Sequence, residues 1–147
     1  PLPKVFRHSV EFVFNTDLRR LLQADDFDPQ RAAAMLAEAR SWPGVELDQE
    51  GLAYALRHTL QRLAERMVAQ PDDVALIERL RDAAAFGRQS ELPLDLSQVQ
   101  NAYYSLRRDR RPQVLARARQ AEAAAQEWLR AFDALGEPLH FSPLGDD

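Results

Sequence analysis

The residues best equipped for chemistry lie in one stretch: Gln98, Gln100, Asn101, Tyr103 and Tyr104. Side-chain amides beside flat aromatic faces are equipment for holding sugars, by hydrogen bonds to hydroxyls and by ring stacking. The plainer reading puts Tyr103 or Tyr104 in a core, with Gln98 and Asn101 in water. Directly after them comes the run Arg107-Arg108-Asp109-Arg110-Arg111. It reads as a phosphate or nucleic-acid patch with the tyrosines as stacking neighbours, or as a solvated turn whose arginines complement the negative end of the preceding helix. A net charge of −4 favours the turn. His8 and Glu11 have the i, i+3 spacing that two ligands of one metal would use, but a di-metal bundle needs two such sets and no HExxH exists. Asp28, Asp48, Asp72, Asp73 and Asp95 fall where helices start, and capping accounts for them. No nucleophile motif surrounds Ser9, Ser41, Ser90, Ser97, Ser105 or Ser142, and the five glycines form no phosphate loop. No catalytic residue, metal or cofactor is therefore expected. Trp42 and Trp128 read as core or interface anchors. Gln100, Asn101, Tyr103, Tyr104 and Trp42 remain as candidate carbohydrate or domain-interface contacts.

The elements that must position these residues are helical. The clearest is residues 47–70, LDQEGLAYALRHTLQRLAERMVAQ. Asp48 can cap it, and Leu47 with Leu52 forms a staple across its first turn. Leu52, Leu56, Leu60, Leu63 and Met67 follow at spacings of three and four, with Ala53, Ala55 and Ala64 widening the stripe. Pro71 ends it. Before it, Pro3 opens a first helix with Phe6, Val10, Val13, Phe14, Leu18 and Leu21 as its stripe. VEFVF has strand-like composition, but the helical spacing continues through DLRRLL, with Asn15-Thr16-Asp17 as a place for a kink. Asp28-Pro29 starts a short alanine-rich helix that turns Met35, Leu36 and Ala39 inward and that Pro43-Gly44 breaks. After Pro71 a fourth helix uses Leu76, Ile77, Leu80, Ala83 and Ala84, with Gly87 as its cap. Asp95 is placed to cap a fifth, with Gln98 at the capping-box position and Leu94 and Val99 as a staple. One long helix after Pro112 lines up Val114, Ala118, Ala121, Ala125, Leu129 and Phe132 until Gly136 and Pro138 stop it. The tail LHFSPLGDD reads as irregular. The expectation is an all-α, single-domain bundle over 1–147, with about six helices around a central one near 48–70.

Composition agrees with a globular chain: 147 residues, 46% hydrophobic and 29% charged. No apolar run nears the ~20 residues that span a bilayer, and no signal segment opens the chain. The absence of cysteine excludes disulfides and thiolate metal sites. A cytoplasmic location is the default. Lys4 is the only lysine among the basic residues. The opening Pro-Leu-Pro suggests a piece of a longer polypeptide.

Three stretches carry a family resemblance: FVFNTDLRRLL, then ARSWPGVELDQEGLAYALRHTLQRLAERM, then LPLDLSQVQNAYYSL. Within them Asn15-Thr16-Asp17-Leu18-Arg19-Arg20, Gly44-Val45-Glu46-Leu47-Asp48 and Gln100-Asn101-Ala102-Tyr103-Tyr104 are the most distinctive. From about Phe12 to Phe132 the chain resembles a C-terminal helical domain of unknown function, family 3536, found in bacterial glycoside hydrolase family 57 proteins (α-amylase/α-mannosidase-like). The resemblance implies a parent enzyme acting on α-glucans whose nucleophile and general acid sit on a separate N-terminal barrel. No position here matches those catalytic motifs. It implies a non-catalytic accessory module that packs on the catalytic domain of the same polypeptide and helps shape a glucan cleft. Residue chemistry alone leaves open a stand-alone interaction or regulatory module, as a homodimer. A membrane partner is not expected, and the acidic charge argues against nucleic acid.

Overall fold

The computed structural model describes residues 3–141. Within them the chain is all-α, with seven helices: α1 (Lys4–Gln23), α2 (Pro29–Ser41), α3 (Gln49–Ala69), α4 (Val74–Gln89), α5 (Ser97–Asp109), α6 (Arg111–Arg119) and α7 (Ala123–Gly136). No strand occurs among the described residues. None of these helices is long and apolar enough to cross a membrane. Ser142 and the end of the tail, 142–147, lie outside the described residues, as do Pro1 and Leu2.

The chain divides into two compact units, one of Pro1–Thr59 with Phe86–Leu94 and one of Leu60–Ala85 with Asp95–Asp147. The organising helix α3 supplies residues 49–59 to the first and 60–69 to the second. Its expected stripe is buried throughout: Leu52, Leu56, Leu60, Leu63 and Met67 are all at most 3% exposed. Each such side chain contributes ~1.5–3 kcal/mol on leaving water. Asp48 caps its start by accepting from the Gly51 N–H at 3.1 Å.

In the first unit α1 packs on α2. Asp28 accepts from the N–H groups of Gln30 and Arg31, with Pro29 in the first turn, as the sequence predicts. The buried stripe of α1 differs from the predicted one. Leu18 and Leu22 are buried, whereas Phe6 and Val13 are 63% and 53% exposed. The physical reason is that α1 is apolar on two sides: Val10, Phe14, Leu18 and Leu21 line one, and Val5, Phe6, Phe12 and Val13 the other. Nor is α1 interrupted at Asn15-Thr16-Asp17, since it runs unbroken from Lys4 to Gln23. Arg7, Glu11, Asn15 and Arg19, each four apart, instead face the 44–48 loop. Glu11 accepts from the Glu46 N–H at 3.1 Å, Asn15 accepts from the Asp48 N–H at 2.8 Å, and Arg19 reaches the Asp48 carboxylate at 3.6 Å. Gly44 sits at φ 74°, with Arg7 against its open side. Two of the distinctive sequence pieces therefore meet as one hydrogen-bonded clasp.

In the second unit α6 packs on α7 and α5 on α6. The long helix expected after Pro112 is two helices. At the break Ala121 adopts φ 62°, its N–H bonds Ala118 O, and the Glu122 N–H bonds Arg117 O. These are the paired bonds of a Schellman cap, but an alanine occupies the left-handed position normally given to glycine. A side chain there strains the backbone by ~1 kcal/mol. Ala121→Gly is expected to raise the thermal midpoint by about 2–3 °C in a melt followed by circular dichroism. An unchanged or lower midpoint would refute this account of the break.

Two helix caps differ from those the sequence predicts. Gly87 lies inside α4, which continues to Gln89 and ends where Ser90 bonds Gly87 O through its hydroxyl and Glu91 takes φ 60°. Leu96, not Asp95, is the N-cap of α5. Asp95 sits one residue earlier and accepts from the Ser97 N–H at 2.9 Å, so Gln98 does not hold the capping-box position.

Candidate functional site

α5 has a buried face and a solvent face that divide the sequence-predicted cluster between them. Val99, Tyr103 and Leu106, at spacings of four and three, are buried. Tyr103 is 4% exposed and stacks on Phe132 with centroids 4.4 Å apart, while Phe141 closes its other approach at 4.8 Å. Trp128 stacks on Phe132 at 4.6 Å and donates its indole N–H to Pro71 O, so it is a core anchor. Burial pushes the Tyr103 phenol up to about 12, with the nearby Asp133 carboxylate adding to the rise. Gly136 allows this packing, since a Cβ there would stand 2.7 Å from the Tyr103 hydroxyl. Tyr103 is thus a core residue, and the adjacent Tyr104 is the exposed one.

On the opposite face Ser97, Asn101, Tyr104 and Arg108 are all exposed, at spacings of four, three and four. They form one row about 16 Å long along the helix. Tyr104 is 53% exposed, and the Arg108 guanidinium carbon lies 5.8 Å from its ring centroid. Arg108 also chelates Asp109 through Nε at 2.8 Å and Nη2 at 2.9 Å, a bond that holds the Asp109 carboxyl below its ordinary range. Gln100 is half-buried and donates to Leu139 O at 3.0 Å, which leaves it to the fold rather than to a ligand. Trp42 belongs to the first unit, 36% exposed with its ring edge-on to Phe14 at 6.3 Å.

The basic run is largely neutralised within the second unit. Arg107 lies over Phe141 at 5.4 Å, Arg110 pairs with Asp72, and Arg111, 4% exposed, grips Asp133 through two bonds of 2.8 Å. Four arginines face three aspartates here, so the excess positive charge a phosphate patch requires is small. Sequence reasoning missed the Arg111–Asp133 pair, because nothing in a run of arginines marks which one points inward. His8 is exposed and Glu11 is committed to the 44–48 loop. Among the described residues no three His, Cys, Asp or Glu side chains are grouped as metal ligands would be.

Depressions among the described residues of the second unit include two of similar size. One of about 270 Å³ lies beside the α6–α7 turn, lined by Asp72, Val114, Arg117, Glu122 and Trp128. It is smaller than the ~300–1,000 Å³ typical of ligand sites. The other, about 320 Å³, holds Arg66 and Arg79 near the start of α4. There the Asp73 carboxylate already accepts from the Leu76 N–H at 3.1 Å and occupies the position an anion would take.

A scan of protein-family models, a search of curated proteins and a search of solved structures each find no match to this chain.

Proposed function

We propose that this chain is a non-catalytic helical accessory module of a cytoplasmic, glycoside hydrolase family 57-like enzyme of bacterial carbohydrate metabolism. In this reading it packs on the catalytic barrel of the same polypeptide and lends α5 to an α-glucan cleft. The observation that supports it is the row Ser97, Asn101, Tyr104 and Arg108, which sets a hydroxyl, an amide, an aromatic ring and a guanidinium along one exposed line. A pyranose presents C–H groups on its faces and hydroxyls around its rim, and those four groups match it in kind. The test is a titration of ¹⁵N-labelled protein with maltohexaose. Amide shifts centred on Asn101, Tyr104 and Arg108 are expected at millimolar sugar, with Tyr104→Ala weakening binding about tenfold, or 1.4 kcal/mol. Absence of any α5 shift would leave only the packing role. A second reading, a stand-alone helical interaction module, is favoured by a different observation, the exposed apolar row on α1.

A further inference from the structure

We infer that the outer face of α1 is a self-pairing surface on which the α1 of a second copy lies antiparallel, with the two-fold axis at Ser9. Val5, Phe6, Phe12 and Val13 are 77%, 63%, 72% and 53% exposed. With Ser9 between them they cover one side of the helix over about 12 Å. Their order is symmetric about Ser9: phenylalanine stands three residues to either side, and valine four. An isologous contact needs a surface complementary to itself under a two-fold rotation. Antiparallel pairing about Ser9 meets that need, setting Phe6 against the partner's Phe12 and Val5 against the partner's Val13.

The centre of the row suits close approach. Ser9 is small, and its hydroxyl already donates to Val5 O at 3.2 Å, so covering it strands no donor. Cationic groups stand at the ends. Arg19 is held by Asp48 at 3.6 Å, and Lys4 and Arg20 lie five and eleven residues from the axis. Two basic groups on a chain of net charge −4 give little attraction to an anionic membrane. At ~200 Å² per aromatic ring, the two phenylalanines leave roughly 270 Å² exposed per chain, and the valines bring the face to roughly 450 Å². A pair therefore covers roughly 900 Å², below the ~1,200 Å² of stable specific interfaces and within the range of transient ones, which fits a weak, reversible dimer rather than a permanent one.

Sedimentation equilibrium from ~10 μM to ~1 mM, concentrations at which a weak, reversible dimer forms, tests this. The mass is expected to rise from 16.7 kDa toward twice that value, while Phe12→Ser stays at 16.7 kDa with an unchanged helical spectrum. The native chain has no cysteine, so single thiols report the register. Under mild oxidation Ser9→Cys is expected to form a disulfide dimer, because a two-fold at that residue brings the two thiols within bonding reach. Arg20→Cys, on the same face but far from the axis, is expected to stay monomeric. A constant monomer mass, equal association by Phe12→Ser, or crosslinking through Arg20→Cys as readily as Ser9→Cys would each overturn the inference. So would a monomer that sediments with phosphatidylglycerol–phosphatidylcholine vesicles, which would assign the face to lipid. The inference is independent of sugar binding: the maltohexaose titration can fail while the dimer forms, and the reverse.

Discussion

Phe132→Ala is expected to cost about 4 kcal/mol, the largest loss from any single truncation proposed for this chain. Phe132 is 0% exposed and sits between Tyr103 at 4.4 Å and Trp128 at 4.6 Å, both nearly parallel to it. Truncation removes the area of the ring itself and also the faces on which its two neighbours stack. Neither neighbour can move in to fill the space, because Trp128 is tied to Pro71 O and Tyr103 is wedged beside Gly136 and Phe141. A cavity therefore persists, and cavity volume is what sets the upper range of such losses. Urea unfolding should show the midpoint falling at nearly constant slope, with the near-ultraviolet circular dichroism of Trp128 collapsing in parallel. Phe132→Leu, which keeps most of the volume, should lose less than half as much. A loss below about 1.5 kcal/mol for the alanine variant would mean that the stack is not the core of this unit.

Asp133→Ala is expected to cost about 3 kcal/mol. It deprives the Arg111 guanidinium, whose side chain is 5% exposed, of a carboxylate bound at 2.8 Å through both Nε and Nη2. Removing one partner of a buried pair typically costs ~3–5 kcal/mol, because the remaining charge stays out of water. The Asp133 side chain is 39% exposed, so water relieves part of that penalty and sets the value at the low end. The decisive variant removes both charges. Arg111→Met with Asp133→Ala should recover most of the loss, since an apolar replacement of a buried pair is close to neutral. A double-mutant cycle from denaturant unfolding gives the coupling, expected above ~1.5 kcal/mol. If the double variant is no more stable than Asp133→Ala alone, Arg111 is not held there by this charge pairing.

Both predictions fall on residues whose importance the sequence does not advertise. Phe132 is one of six members of the stripe expected after Pro112, and Arg111 is one of four arginines in a run. The stripe itself is broken in two, because Ala121 follows α6 in a left-handed conformation without the glycine that would announce it. The symmetric row on α1 was equally hidden. Its spacings satisfy the same three/four rule as the inner row of Val10, Phe14 and Leu18, and periodicity cannot say which of two apolar sides has a neighbour.

What the sequence determined by itself is the helical character and most of the helix starts. Asp28-Pro29 and Asp48 cap as expected, and the α3 leucines are buried as their spacing required. These are local matters, settled within one or two turns by capping geometry and by a period of 3.6 residues. Tertiary structure alone decided which of Tyr103 and Tyr104 is core, which arginine is buried, and how Glu11 and Asn15 clasp the 44–48 loop. Neighbouring residues on a helix point about 100° apart, so turning α5 about its own axis by that one step would exchange the two tyrosines. That rotation is set by the fit of Val99, Tyr103 and Leu106 into their surroundings, a property of packing that no single segment contains.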